Sequence, residues 1–239
     1  MPSYLRDLTG RFPQRPHYSS EELDHECETV ITDFLRTLHG EVRYPITTED
    51  IQKLIERDTE YLDVYADLSS YGANVEGLTE FKPGRKPCVL ISVSLTESDN
   101  MENRFRTTLT HEYGHVFFHN HLWQMKSSMQ DILSRNHDSD KEVCKRDSMI
   151  DAPQNDWMEW QAGYVCGAML MPKSAVVQLV GDYMEQHELY VTVSLQTPHA
   201  QNLISRMTKT FQVSDDAARI RLLKIGLLTE TAPNLSLFG

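Results

Sequence analysis

The stretch "TTLTHEYGHVFFHNHLWQ", residues 107–124, carries four histidines and one glutamate within eleven positions. His111 and His115 are four apart, so a helix sets both imidazoles on one face, one turn apart. Side chains placed this way can share one metal ion. Glu112, beside the first histidine, can then reach water at that ion without being a ligand itself. The context is helical from Glu102 to about His121, with Phe105, Leu109, Tyr113 and Val116 or Phe117 at core spacing. The plainer reading is a solvated helix face with two chance histidines. An HExxH arises by chance in a chain of this length with a probability on the order of a few per cent, and the amphipathic setting weakens that reading further.

A catalytic zinc site takes three protein ligands and leaves one position open. Two residues compete for the third place. His121 stands at the spacing of H-E-x-x-H-x-x-G-x-x-H, but that pattern needs a glycine to turn the chain back, and the position holds Phe118. A left-handed backbone is costly for phenylalanine. Glu159, on the next predicted helix, is therefore favoured. His119 lies too far along a straight helix to share the ion and reads as an exposed or supporting histidine. His137, in a polar stretch, reads as solvated.

Working outward, "SSEELDHECETVITDFLRTLHG" opens with a capping box, Ser19 and Glu22, and runs an apolar stripe from Leu23 through Leu38 to a stop at Gly40. A shorter helix follows Thr47 or Thr48 and buries Ile51, Leu54 and Ile55. "YLDVYADL" alternates as a half-buried strand, with Leu62, Val64, Ala66 and Leu68 on one face. "VEGLTEF" and "CVLISVSL", joined at Pro83-Gly84, read as a hairpin. Residues 126 to 156 are polar and read mostly as loop. "DWMEWQAGYVCGAMLM" reads as a helix ended by Pro172. From Thr197 to Leu228 two helices follow, the first started by Thr197-Pro198, the second capped by Ser214 and ended by Gly226.

Composition narrows the classes. The chain has 239 residues, 40% hydrophobic and 24% charged, as in ordinary globular proteins. Its net charge of −12 opposes a general attraction to nucleic acid or anionic membrane. No apolar run is long enough to span a bilayer, and the start "MPSYLRDLTG" has no secretory apolar stretch, so a cytoplasmic location is expected. The four cysteines, Cys27, Cys88, Cys144 and Cys166, form no C-x-x-C pair and read as reduced thiols. Cys144 could cap a metal as an inhibitory ligand, but a spare cysteine in a polar stretch is more often only that.

"LTHEYGHVFFH" followed by "EWQAGYVCGAMLMP" resembles the ImmA/IrrE family of metallopeptidases, across roughly residues 45 to 228. Members carry HExxH on one helix and then E-x-x-A leading to a leucine/methionine-proline end, matched here by Glu159, Ala162, Leu170, Met171 and Pro172. The chain departs from the family at Gly163, where an asparagine is expected, and in the long polar stretch between the two motifs. The resemblance implies an α+β fold with a zincin-like core, a small sheet with the HExxH helix and the glutamate-bearing helix, and a C-terminal helical, helix-turn-helix-like region. The expected segments are 1–44 (N-terminal helical), 45–190 (metallopeptidase) and 191–239 (C-terminal helical). The implied activity is a cytosolic zinc endopeptidase that cleaves a helix-turn-helix (XRE-type) repressor and so relieves repression of a mobile element, prophage or stress-response genes.

In that chemistry His111, His115 and Glu159 hold Zn2+, and Glu112 is the general base. An oxyanion donor is needed as well; Tyr164 is near Glu159 in sequence but reads as core. Arg206, Lys209, Arg219, Arg221 and Lys224 raise the question of DNA contact by the last two helices. The acidity of the chain favours a hairpin packed on the core instead. Two other readings are a non-proteolytic zinc-fold regulator acting by binding, and a peptidase toxin active on other host proteins. Glu112 speaks against the first, because a binding module needs no general base beside the metal.

Overall fold

The capping box at Ser19 forms as its spacing predicts: Glu22 N–H donates to Ser19 Oγ, and Glu22 Oε2 accepts from Ser19 N–H at 2.9 Å. Helix α1 (Ser20–His39) then runs to Gly40, which adopts the left-handed conformation at φ 79°. Thr47 caps α2 (Thr48–Asp58). In the computed structural model of the chain, residues 2–82, 84–97, 99–130, 140–145 and 156–230 are described; of 99, 126–130 and 140–145, only the backbone.

Four strands form a mixed sheet in the order β3-β5-β4-β6: β3 (Tyr61–Ala66), β4 (Val75–Phe81), β5 (Cys88–Ser92) and β6 (Asp140–Lys145). β4 and β5 pair antiparallel, as the Pro83-Gly84 hairpin predicts, with Leu78 opposite Leu90. β3 runs parallel to β5, and β6 pairs antiparallel with the other side of β4. Helix α3 (Glu102–Gln130) packs on this sheet, and α4 (Trp157–Leu170) packs on α3. The chain continues through α5 (Lys173–Gln186), α6 (Pro198–Phe211) and α7 (Asp215–Lys224). The fold is thus mixed α and β. Among the described residues, no single helix is long and apolar enough to cross a membrane.

Several expectations need correction. Within the stretch 126–156, the described residues include regular structure: α3 extends to Gln130, and β6 lies at 140–145 with the backbone of Cys144 opposite Gly77. His137 falls outside the described residues. Pro172, which ends α4, also stands at the start of α5, so the chain passes from one helix to the next at this proline. Leu38 falls off the buried stripe of α1 and is 41% exposed. The first residues are also structured: β1 (Ser3–Arg6) and β2 (Gln14–His17) form an antiparallel hairpin. Phe12, between them, inserts edge-on against Trp123 at 4.9 Å between ring centroids, and Trp123 stacks on Phe81 of β4 at 3.9 Å. Asp7 accepts from Trp157 Nε1 at 3.2 Å. The hairpin is thereby fixed to α3, α4 and the sheet at once.

One buried apolar cluster draws on Leu23 of α1, Ile51 of α2, Val89 of β5, Leu109 of α3, Val165 of α4 and Leu203 of α6. Two buried arginines tie its periphery. Arg106 of α3 donates to the carbonyls of Phe211 and Gln212, which end α6, and to that of Ile46. Arg221 of α7 is 2% exposed, pairs with Asp24 of α1 at 2.7 Å and donates to the carbonyl of Met171 at 3.0 Å. Arg221 therefore belongs to the interior and not to a basic face that could meet DNA.

The contact between α3 and α4 is close because the facing residues are small. A Cβ on Gly114 would lie 3.2 Å from Ala162 Cα and 3.3 Å from Val165 Cβ. Helices approach to this degree only where one side lacks a side chain. Gly114→Val is expected to destabilise the protein by roughly 1–3 kcal/mol through overpacking, read as a lower urea midpoint with an unchanged slope.

Candidate metal centre

The close α3–α4 contact carries the two histidines of α3 to the first turn of α4. Asp156 caps α4 and accepts from Glu159 N–H at 3.4 Å, which sets where Glu159 leaves the helix. His111 Nε2 is 3.2 Å from His115 Nε2, 3.3 Å from Glu159 Oε2, and His115 Nε2 is 3.2 Å from Glu159 Oε1. Four ligands at about 2.0–2.1 Å in a tetrahedron lie about 3.3 Å apart along each edge. The two imidazole nitrogens and the two oxygens of Glu159 stand at about that spacing, and one ligand atom from each residue lies within 4.8 Å of the others. His111 and His115 are fully buried and Glu159 is 8% exposed. The donor set, two imidazole nitrogens and a carboxylate oxygen, can bind a metal ion.

Glu112 lies beside this triangle and is also fully buried. Its Oε2 accepts from Thr79 Oγ1 at 2.5 Å, while Oε1 has no hydrogen-bond partner among the described residues. Burial raises the Glu112 pKa, and the neighbouring His115 and His111 and the Thr79 hydroxyl only partly offset this. Burial also opposes charge on Glu159, but the hydrogen bonds and charges of His111 and His115 outweigh it and hold that carboxyl well below the usual range.

The floor under Glu112 is strand β4. Thr79 and Gly77 are two apart and so share the face turned toward α3. A Cβ on Gly77 would overlap Glu112 Oε1 and come within 2.8 Å of Cδ and 2.9 Å of Cγ. The missing side chain is what makes room for the carboxylate. A glycine inside a strand is a known sign of close approach, so this position was open to being found from the sequence; the partner it accommodates was not.

The other candidates resolve as follows. α3 stays helical through Phe118 to Gln130, so the chain does not turn back. His121, ten residues and about 15 Å of helix beyond His111, is not in the group. His119 is not an exposed histidine. It is fully buried, with Nδ1 3.0 Å from His115 Nδ1 and Nε2 3.0 Å from Gln161 Oε1. Burial and the neighbouring His115 push its pKa well down, so it is neutral. Tyr164 is core, as expected: it is 3% exposed and its hydroxyl accepts from Arg221 at 3.4 Å. Cys27, Cys88 and Cys166 are buried and form no disulfide with one another.

No protein-family model matches the chain, and no curated protein matches it significantly.

Proposed function

We propose that this protein is a zinc-dependent endopeptidase with a zincin-like core, of the ImmA/IrrE kind, acting in the cytoplasm on a helix-turn-helix repressor. The observation that carries the reading is the buried triangle of His111, His115 and Glu159 with the unpartnered oxygen of Glu112 beside it. A protein that used a metal only to hold its fold would have no reason to keep an unsatisfied carboxylate oxygen there, because such a group costs about 1–3 kcal/mol.

His111, His115 and Glu159 would hold the ion. Zinc, when bound, supplies a Lewis acid that acidifies water and polarises the scissile carbonyl. The chain's own residues do the rest. Glu112, with a raised pKa and a free oxygen, takes a proton from the attacking water and returns it to the leaving amine. Thr79 holds the other carboxylate oxygen, so Oε1 is the one that works. The close α3–α4 contact keeps water out of the back of the site.

Gly77→Ala is expected to keep zinc bound and to lose roughly 100-fold in peptide hydrolysis, since a methyl there displaces the base and not the ligands. Zinc content by elemental analysis and the hydrolysis rate, measured on one sample, check it.

The substrate is tested by co-expressing the whole chain with a helix-turn-helix repressor encoded beside it and following the repressor's intact mass. A repressor cut by wild type and left whole by Glu112→Gln supports the reading. A repressor left whole by zinc-loaded wild type rejects it as the substrate.

A further inference from the structure

The triangle does not end at its three ligands. A line of hydrogen bonds leaves it through the far nitrogen of His115: His115 Nδ1 to His119 Nδ1 at 3.0 Å, His119 Nε2 to Gln161 Oε1 at 3.0 Å, and Gln161 Nε2 to the carbonyl of Pro16 at 3.1 Å. His115, His119 and Gln161 are at most 3% exposed. The line therefore runs from the metal centre to β2 of the N-terminal hairpin through the interior, where each donor needs an acceptor.

Its direction follows from its outer end. A backbone carbonyl can only accept, so the Gln161 amide must turn its NH2 toward Pro16. Its oxygen then faces His119 Nε2, which must carry a proton. One proton lies between the two Nδ1 atoms. A metal ion held at His115 Nε2, the atom in the triangle, takes that nitrogen's lone pair, so the proton belongs to His115 Nδ1 and His119 Nδ1 accepts it. Turning the amide over would set oxygen against oxygen at Pro16. The edge-to-face contact of His119 with Trp157, at 5.5 Å, blocks the ring from swinging aside.

We infer that His119 and Gln161 are positioning residues that hold His115 in its metal-binding tautomer, and that the N-terminal hairpin, through the Pro16 carbonyl, sets that tautomer. Partners of this kind orient a ligating imidazole and raise its basicity, and losing one typically costs 10–100-fold in metal affinity. Here the last partner lies outside both helices that carry the ligands, so the hairpin is part of the metal centre. This rests on the triangle binding metal.

Two measurements on the full chain test it. In the zinc-loaded, 15N-labelled wild type, the imidazole 15N shifts should show His115 protonated at Nδ1 and His119 at Nε2. The reverse assignment at either residue overturns the inference, and no variant has to fold for that outcome to be read. In the second, zinc affinity is measured by chelator competition for wild type, His119→Phe, Gln161→Leu and the double variant. Each single change should weaken zinc 10–100-fold, and the double should be no weaker than the worse single, because both break one line. Wild-type affinity in the folded single variants, or losses that multiply in full, overturns the relay alone. A wild type that takes up no zinc overturns the metal reading, and the relay with it.

Discussion

Glu112→Gln is expected to keep a full equivalent of zinc and to lose roughly 10²–10⁴-fold in hydrolysis, the range that a positioned general base contributes. The amide occupies the same space, between Thr79 and the triangle, but cannot take a proton. The metal ligands are separate side chains, so zinc content should not move. A variant that still cleaves at the wild-type rate would remove Glu112 from the mechanism. The same substitution has a second signature in the metal-free protein. The folded-state pKa of Glu112 is raised above its ordinary value of 4.5, chiefly by burial. A group shifted this way contributes stability that is complete below 4.5 and is lost as pH rises through the folded value. Glutamine has no such slope. The melting temperature of metal-free Glu112→Gln should therefore gain on that of wild type as pH rises above 4.5, read by thermal melts in chelator.

Glu159→Gln is expected to lower zinc affinity by more than about 100-fold, because the outer partners of a ligand alone are worth 10–100-fold. It removes the one charged ligand of the triangle and leaves two imidazoles, which cannot hold the ion against water. Chelator competition gives the number, and an affinity equal to wild type would take Glu159 out of the centre. The pH profile of zinc release in the wild type carries a related expectation. The Glu159 pKa is depressed by His111 and His115, so its ionised form persists well below 4.5, and its contribution is lost only as pH falls through that depressed value. Acid should therefore displace zinc by proton competition at the imidazole nitrogens before Glu159 is protonated, because a ligating imidazole must be neutral to bind. Release that waits until the carboxylate range would contradict the ligand set.

The parts of this protein that could be read from sequence are those where one local rule decides. The Ser19–Glu22 box, the Thr47, Thr197 and Ser214 caps, the β4–β5 hairpin and the HExxH face follow from spacings of two, three or four residues. The choice of Glu159 over His121 rested on Phe118 alone, and α3 does continue through it. What stayed hidden depends on contacts far apart in sequence. β1 and β2 are four residues each with no buried alternation, and they exist because Phe12 finds Trp123 and Asp7 finds Trp157. β6 was hidden because its polar residues "DKEVCK" carry no strand period, and its place is set by pairing with β4. His119 could be read from its spacing only as an exposed or supporting histidine; the choice between the two depends on Gln161, 42 positions later, which buries and pairs it. Arg221 looked like surface charge until Asp24 and Met171 closed around it.

The bond between Gln161 and the Pro16 carbonyl also fixes a sequence of events in the life of the chain. Its two ends are 145 residues apart. A ribosome adding about 5–20 residues per second needs roughly 7–30 s to cover that distance. Late in that interval the emerging polypeptide carries both histidines but not yet Glu159 or Gln161. The triangle and its link to Pro16 can form only once α4 has been synthesised and has reached both α3 and β2.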